Sequence, residues 1–318
     1  LDMLMEFASR AYRRPLAEAE VAELLSLYEL LREKDVSHEE AFRAVLVAIC
    51  VAPDFLYRLE KPPSGQTSGP VSDWELASRL SYFLWSTLPD ESLFAAAKSG
   101  ILTDADEVLR QTQRMMHDDR IRSLATEFAC QWLGFRDFDQ HDEKNERQYP
   151  TFLDLRDEMY EESVRFFTDL FQRDGSILEI IEAEHTFLNG SLAKHYGIDG
   201  IEGNQWRRVD GMKQHSRGGV LGMATLLAKQ SGATRTSPVL RGNWIVETLL
   251  GDNLPDPPPT VPELPDSVSR DGLTVREMTE KHVSVAECAS CHVRIDPFGF
   301  ALESFDAIGR YRTKDMLG

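Results

Sequence analysis

The chain has 318 residues, enough for two or three domains, and its 42% hydrophobic and 28% charged residues are an ordinary globular mix. Lys and Arg number 35 against 53 Asp and Glu, a formal charge of −18. So acidic a surface disfavours nucleic acid and anionic membranes, both of which require basic patches, while it suits solubility and would steer a basic partner protein. The longest apolar run, Ala44 to Pro53, is about half of what a bilayer requires, so no transmembrane segment is expected.

Helical periodicity dominates the chain. The acidic start, Leu1-Asp-Met-Leu-Met-Glu6, lacks the charged-then-apolar form of an export signal. Leu16 to Leu31 places Val21, Leu24, Leu25 and Tyr28 on one helical face, with Pro15 suited to the first turn. Ser37-His-Glu-Glu40 reads as a capping box opening a helix to about Val51. Lys61 to Pro70 is a loop and a domain boundary. Helices follow over Ser72 to Trp85, Asp90 to Lys98, Thr103 (as cap) to Met116, and Ile121 to Leu133. Gln140 to Arg147 is polar and reads as a surface loop. Phe152 to Gln172 is a long amphipathic helix. Gly190 to Tyr196 is a short one that Gly197 can end in the left-handed conformation. Gly218 to Gln230 is apolar and helical, and Ser237-Pro238 is a cap-then-first-turn pair for a helix to Leu250, stopped by Gly251.

Asn253 to Asp266 holds six prolines in fourteen residues and should be an extended wrap. A helix from Thr274 to His282 precedes the most specific pattern in the chain. No glycine-rich phosphate loop, no internal repeat and little strand is legible, so the fold reads as all-α, a multi-helical scaffold with a C-terminal module.

That pattern is Cys288-Ala-Ser-Cys291-His292. Cys-x-x-Cys-His is the attachment signature of a c-type haem: two thiols add across the vinyl groups and the histidine takes one axial position of the iron. Three-residue spacing puts both thiols on one side of a helical turn, with the imidazole beside them. A zinc site would need two further ligands at metal spacing, and a thioredoxin-like pair a strand-to-helix setting; neither accompanies the motif. The other cysteines, Cys50 and Cys130, sit in apolar surroundings as core thiols, and in an oxidising compartment the two could also pair.

The stretch Cys288-Ala-Ser-Cys-His-Val-Arg-Ile-Asp-Pro-Phe-Gly-Phe-Ala-Leu-Glu-Ser-Phe-Asp-Ala-Ile-Gly-Arg-Tyr-Arg312 resembles the haem segment of a bacterial family. Its members are large proteins common in planctomycetes, cytochrome c-domain proteins assembled from domains of unknown function (the 1595, 1592, 1588 and 1585 series). Ala8-Ser-Arg-Ala-Tyr-Arg-Arg-Pro15 is similar to the start of the first domain, and Ala77-Ser-Arg-Leu-Ser-Tyr-Phe-Leu-Trp-Ser-Thr-Leu-Pro-Asp90 to the second. Arg235-Thr-Ser-Pro-Val-Leu-Arg-Gly-Asn-Trp244 is similar to the third, which carries the haem motif. The resemblance implies a helical domain over 1–62, a second over 71–205, and a haem c domain over 206–318 with its proline wrap at 253–266. The 1585 domain that the resemblance leads one to expect next is missing, so the chain reads as a fragment or as part of a longer protein. It also implies export, since haem c is attached on the far side of the cytoplasmic membrane; a periplasmic or cell-surface location is expected.

His292 supplies the proximal ligand, and the distal position separates an electron carrier from an enzyme. Only 26 residues follow His292, and Met316 among them lies next to the chain end. Met223, in Gly218-Gly-Val-Leu-Gly-Met-Ala-Thr225, is the first distal candidate because small neighbours would let a flat ring approach; a core methionine is the competing role. His282 is the second, with a structural bond as its competing role, followed by Met278 and His215. Arg235, Arg241, Arg310 and Arg312 are candidates for the propionates, Trp244 for donating or stacking, and Pro297 and Phe298 for packing on the ring edge. Asp306 is placed to pair with Arg310. Three roles follow: electron transfer to a redox partner protein, a haem enzyme acting on a small molecule or glycan, or a surface protein whose fold the haem anchors. Roughly two-thirds of the chain precedes the haem domain, more than one haem needs.

Overall fold

The structure is a computed structural model. It describes residues 1–60, 62, 65–141, 143–255, 273–283 and 286–314, without the side chains of 282 and 286–288. The proline wrap lies almost wholly outside the described residues, as does Met316. Helix makes up 60% and strand 4% of the chain, an all-α protein. It divides into two compact units, Leu1–Leu124 and Ala125–Gly318.

The first unit begins with α1 (Asp2–Ala11), α2 (Glu18–Glu33) and α3 (His38–Val51), which close on a core of Leu4, Ala8, Tyr12, Leu24, Val45 and Ile49. Ser37 caps α3 as its spacing with Glu40 requires: its hydroxyl accepts from the Glu40 amide at 3.2 Å, and the Glu40 carboxylate takes the Ser37 hydroxyl. Pro15, by contrast, stands before its helix. The Glu20 carboxylate accepts from the Ala17 amide and from Arg14, and α2 starts three residues later than the proline suggests. Arg13 then gathers the carbonyls of Asp54, Phe55 and Tyr57 at the end of α4 (Pro53–Leu56).

Helices α5 (Asp73–Trp85), α6 (Glu91–Lys98) and α7 (Ala105–Met116) follow, with Ser72 and Asp90 as caps. The cap of α7 is Asp104 and not Thr103, because the Asp104 carboxylate is the group that accepts from the Asp106 amide. α8 (Arg122–Leu124) ends the unit.

The second unit opens on a π-helical stretch, Ala125–Cys130, where a regular helix was expected. Its spine is α9 (Phe152–Gln172), which turns Met159, Val164, Phe166, Phe167 and Leu170 into the core. α10 (Glu179–Glu182) leads to a feature the sequence pattern hides: β1 (His185–Leu188) pairs antiparallel with β2 (Arg207–Asp210), His185 opposite Asp210. Between them α11 (Gly190–Tyr196) ends on Gly197, whose φ of 72° is left-handed. The apolar run from Gly218 is not one helix. It makes a 3-10 turn at Val220–Gly222 and then α12 (Ala224–Lys229), because Gly219 takes φ 50° where the chain passes Ile180 and Ile181.

The polar segment 140–147 is not merely a surface loop either. Lys144 is buried and donates to the carbonyls of Ser231 and Gly232 at 2.7 and 2.9 Å, and burial lowers its amine to about 7. Its polarity serves inward hydrogen bonds that hold the chain at Ser231 and Gly232.

Candidate functional site

Ser237 accepts from the Leu240 amide and Pro238 opens α13 (Pro238–Trp244), which continues as a π-helical stretch, Ile245–Leu249. Thr274 caps α14 (Val275–Val283) through the Glu277 amide, and α15 (Ala286–Ala301) carries the cysteine-histidine motif. On α15 the positions Cys288, Cys291, His292, Ile295 and Gly299 recur every three or four residues and share one stripe. The Ile295 and Gly299 end of that stripe lies on α13, against Gly242 and Pro238, and α15 also packs on the π-helical extension.

The crossing is backbone on backbone. A Cβ at Gly299 would come within 2.8 Å of the Pro238 Cα, and one at Gly242 within 2.7 Å of the Ile295 carbonyl carbon. Gly299→Val should therefore force the two helices apart and cost about 1–3 kcal/mol, read as a lowered midpoint in thermal or urea unfolding; an unchanged midpoint would remove the close crossing from the account.

His292 is buried on this stripe, and its Nδ1 lies 2.8 Å from Asp296 Oδ1, one helical turn on. A neutral imidazole so held carries its proton on Nδ1 and donates it to the carboxylate, which leaves the ring's lone pair on Nε2. Cys291 is half-buried, with Ser290 Oγ 3.9 Å from its sulfur. Cys288 stands on α15 and His282 on α14, but both side chains lie outside the described ones. Pro297 and Phe298 point away from the His292 stripe, to the exposed side of α15.

The propionate candidates have other partners here. Arg241 is completely buried and its terminal nitrogens donate to the carbonyls of Leu302, Phe305 and Asp306 at 2.7, 3.0 and 2.8 Å, to that of Leu227, and to Ser231 Oγ. Burial lowers it to about 10, which leaves it charged at neutral pH. Arg312 binds Glu303 at 2.9 Å, Arg310 pairs with Asp306 at 2.7 Å as its spacing foretells, and Arg235 donates to the Thr236 carbonyl. Trp244 donates to the Leu133 carbonyl at 2.9 Å. Arg241, Arg310 and Arg312 thus fasten the 302–312 segment after α15.

Met223 is buried where α12 begins, its sulfur 3.6 Å from the Ser163 hydroxyl. It lies in the wall of a small cleft with Glu162, His185, Thr186, Met212, Arg217, Gly218, Gly219 and Gly222, to which α15 contributes none of the described lining residues. Met278 is buried on α14, which packs on α15.

The cleft exposes a group the sequence analysis missed. Glu162 is buried, accepting from Thr186 Oγ1 at 2.6 Å and Tyr196 Oη at 2.5 Å, and Tyr196 Oη accepts from the Ala224 amide. Burial, opposed by those hydrogen bonds and by Arg217, raises the carboxyl to about 7. An acid on the apolar stripe of α9, between Met159 and Phe166, was the available signal. The native state therefore holds a proton that the unfolded chain releases from about pH 4.5 upward, so stability falls as pH rises from about 4.5 to 7 and then levels off. Glu162→Gln should remove about 3–4 kcal/mol of this dependence, seen as unfolding midpoints that vary less across that window than the wild type's.

Cys50 is half-buried on α3, Cys130 is buried at the end of the π-helical stretch, and the two are not joined. Among the described residues no helix is long and apolar enough to cross a membrane, and no three His, Cys, Asp or Glu side chains gather as a metal-binding group.

Three family models match the chain: PSD5, protein of unknown function (DUF1595), over residues 2–60; PSD4, protein of unknown function (DUF1592), over residues 71–198; and PSCyt3, protein of unknown function (DUF1588), over residues 217–315. Comparison with curated proteins and with solved structures gave no match. In this order the three domains cover nearly the whole chain, and it belongs to the planctomycete-type multi-domain cytochrome c protein family.

Proposed function

We propose that this chain binds one haem c covalently and transfers electrons outside the cytoplasm, in the periplasm or at the cell surface. One observation carries the reading: the Cys-x-x-Cys-His motif lies on a single helix whose histidine is oriented by a carboxylate one turn away. The Cys288 and Cys291 thiols would form the two thioethers. His292 Nε2 would be the proximal ligand, and Asp296, accepting from Nδ1, would fix the ring and raise its basicity. When bound, the haem supplies a one-electron iron couple whose potential follows axial ligation and burial. The charge of −18 favours a redox partner with a basic face.

Met223 and His282 stand as the two distal candidates. The test is the visible spectrum of the matured, oxidised protein with and without azide. No response supports two strong protein ligands and a carrier; a shifted Soret band means an exchangeable distal site and favours a haem enzyme. In the same assay Met223→Ala should turn the spectrum high-spin if Met223 is the ligand, and an unchanged spectrum removes it.

A further inference from the structure

We propose that Lys144 is a proton-sensitive latch: its neutral amine fastens the 144–149 segment to the 231–234 loop, and proton uptake loosens the clasp. The latch needs no haem.

The two stretches meet carbonyl by carbonyl. Lys144 Nζ donates to Ser231 and Gly232 at 2.7 and 2.9 Å, the Asn145 amide to Ala233 at 3.0 Å, and the Tyr149 hydroxyl to Thr234 at 3.1 Å. Successive carbonyls of the loop are thus held by one short segment. Just beyond, Thr236 donates to the Glu303 carboxylate at 2.8 Å and accepts from Arg312 at 3.2 Å, and Ser237 caps α13. The clasp therefore sets the entry to the helix on which the Ile295 and Gly299 end of the α15 stripe lies.

Donor count selects the neutral amine. An amine has two N–H groups, and the two carbonyls take both; an ammonium has three and brings a charge. Lys144 is 5% exposed, and its acceptors among the described residues are these carbonyls. Burial first, and then the Arg241 cation on α13, lower the amine to about 7; Lys229 at the end of α12 helps, while Glu143 beside it and Asp306 beyond α15 oppose. Tyr149, on the same clasp, is raised above its ordinary value of 10 by burial and stays un-ionised through neutral pH. Freed from the clasp, the amine returns to its ordinary 10.5 and takes up a proton that the closed form refuses. Opening is therefore favoured by up to about tenfold for each pH unit lost between about 10.5 and 7, and levels off below about 7, where both forms are protonated. Glu162 titrates below this window, from about 4.5 to 7.

The experiment is pulsed hydrogen exchange of the full chain at about pH 7 and about pH 9, with each amide corrected for its intrinsic rate. The Asn145 amide, bonded to Ala233, should be protected about tenfold or more better at the higher pH. The Gly190 amide, bonded to the Gly203 carbonyl at 2.8 Å in the same unit, should not follow it. Lys144→Met keeps a buried stem without the titrating amine, and Lys144→Gln keeps two N–H donors that do not titrate; in either, protection at Asn145 should no longer depend on pH. If neither variant folds, the comparison of Asn145 with Gly190 in the wild type decides. The proposal is overturned if protection at Asn145 is the same at both pH values, if Gly190 changes by the same factor, or if a folded Lys144→Met keeps the wild-type dependence.

Discussion

Arg241→Ala should destabilise the second unit by about 3–5 kcal/mol, the largest loss expected from any single side chain in it. The guanidinium is fully buried and holds the carbonyls of Leu227, Leu302, Phe305 and Asp306 together with Ser231 Oγ and the Glu303 carboxylate. Truncation would leave those acceptors buried and unpaired, which costs more than the net worth of the bonds themselves. It would also release the segment after α15 from the core formed by Leu302, Phe305, Ala307 and Ile308. Arg241→Lys should recover part of the loss, because an ammonium offers three donors but no planar fork. Urea unfolding measures both; a loss under about 1 kcal/mol for the alanine variant would show that this segment is held by its apolar contacts instead.

Replacing Cys288 and Cys291 together by alanine should abolish covalent attachment outright, the largest effect expected on the cofactor. Haem would then leave on acid–acetone extraction of the variant and stay with the wild type. The fold should bear this better than it bears Arg241→Ala, since on the described residues α15 is fixed to α13 through Gly242, Ile295 and Gly299, further along the helix than either thiol. Asp296→Ala is the subtler companion: His292 would keep its place but lose the acceptor at Nδ1, and the haem potential should rise as the ligand becomes less basic. Haem that resists extraction from the double-alanine variant would rule out thioether attachment at this motif.

What was legible in the sequence was local. Phe152–Gln172 shows itself by a 3.6-residue stripe, Ser37 with Glu40 by a capping box, and Ser237-Pro238 by cap chemistry, and each depends on neighbours within one turn. The cysteine-histidine motif is local for the same reason, and Asp296 at one turn from His292 was within reach of the same reading. The misses are tertiary. Nothing in the spacing of Gly242 and Gly299 says that they meet another helix's backbone. Lys144 looks like a solvated charge until the carbonyls of Ser231 and Gly232 arrive from nearly ninety residues away.

The ribbon was missed because each strand has only four residues, with burial that does not alternate. The arginines read as propionate donors are, for Arg241 above all, donors to the protein's own chain. Met223 lies in an apolar run that suits a core or a cofactor equally, and the structure places it beside Ser163, on the side of Glu162 and Arg217.

The most direct test is the intact mass of the chain, matured in an exporting host and then fully denatured, together with its spectrum in alkaline pyridine. A mass raised by one haem and a pyridine haemochrome of the two-thioether type are the predicted result. The bare polypeptide mass with no Soret absorbance, from a host that matures another c-type cytochrome in the same experiment, would contradict the account.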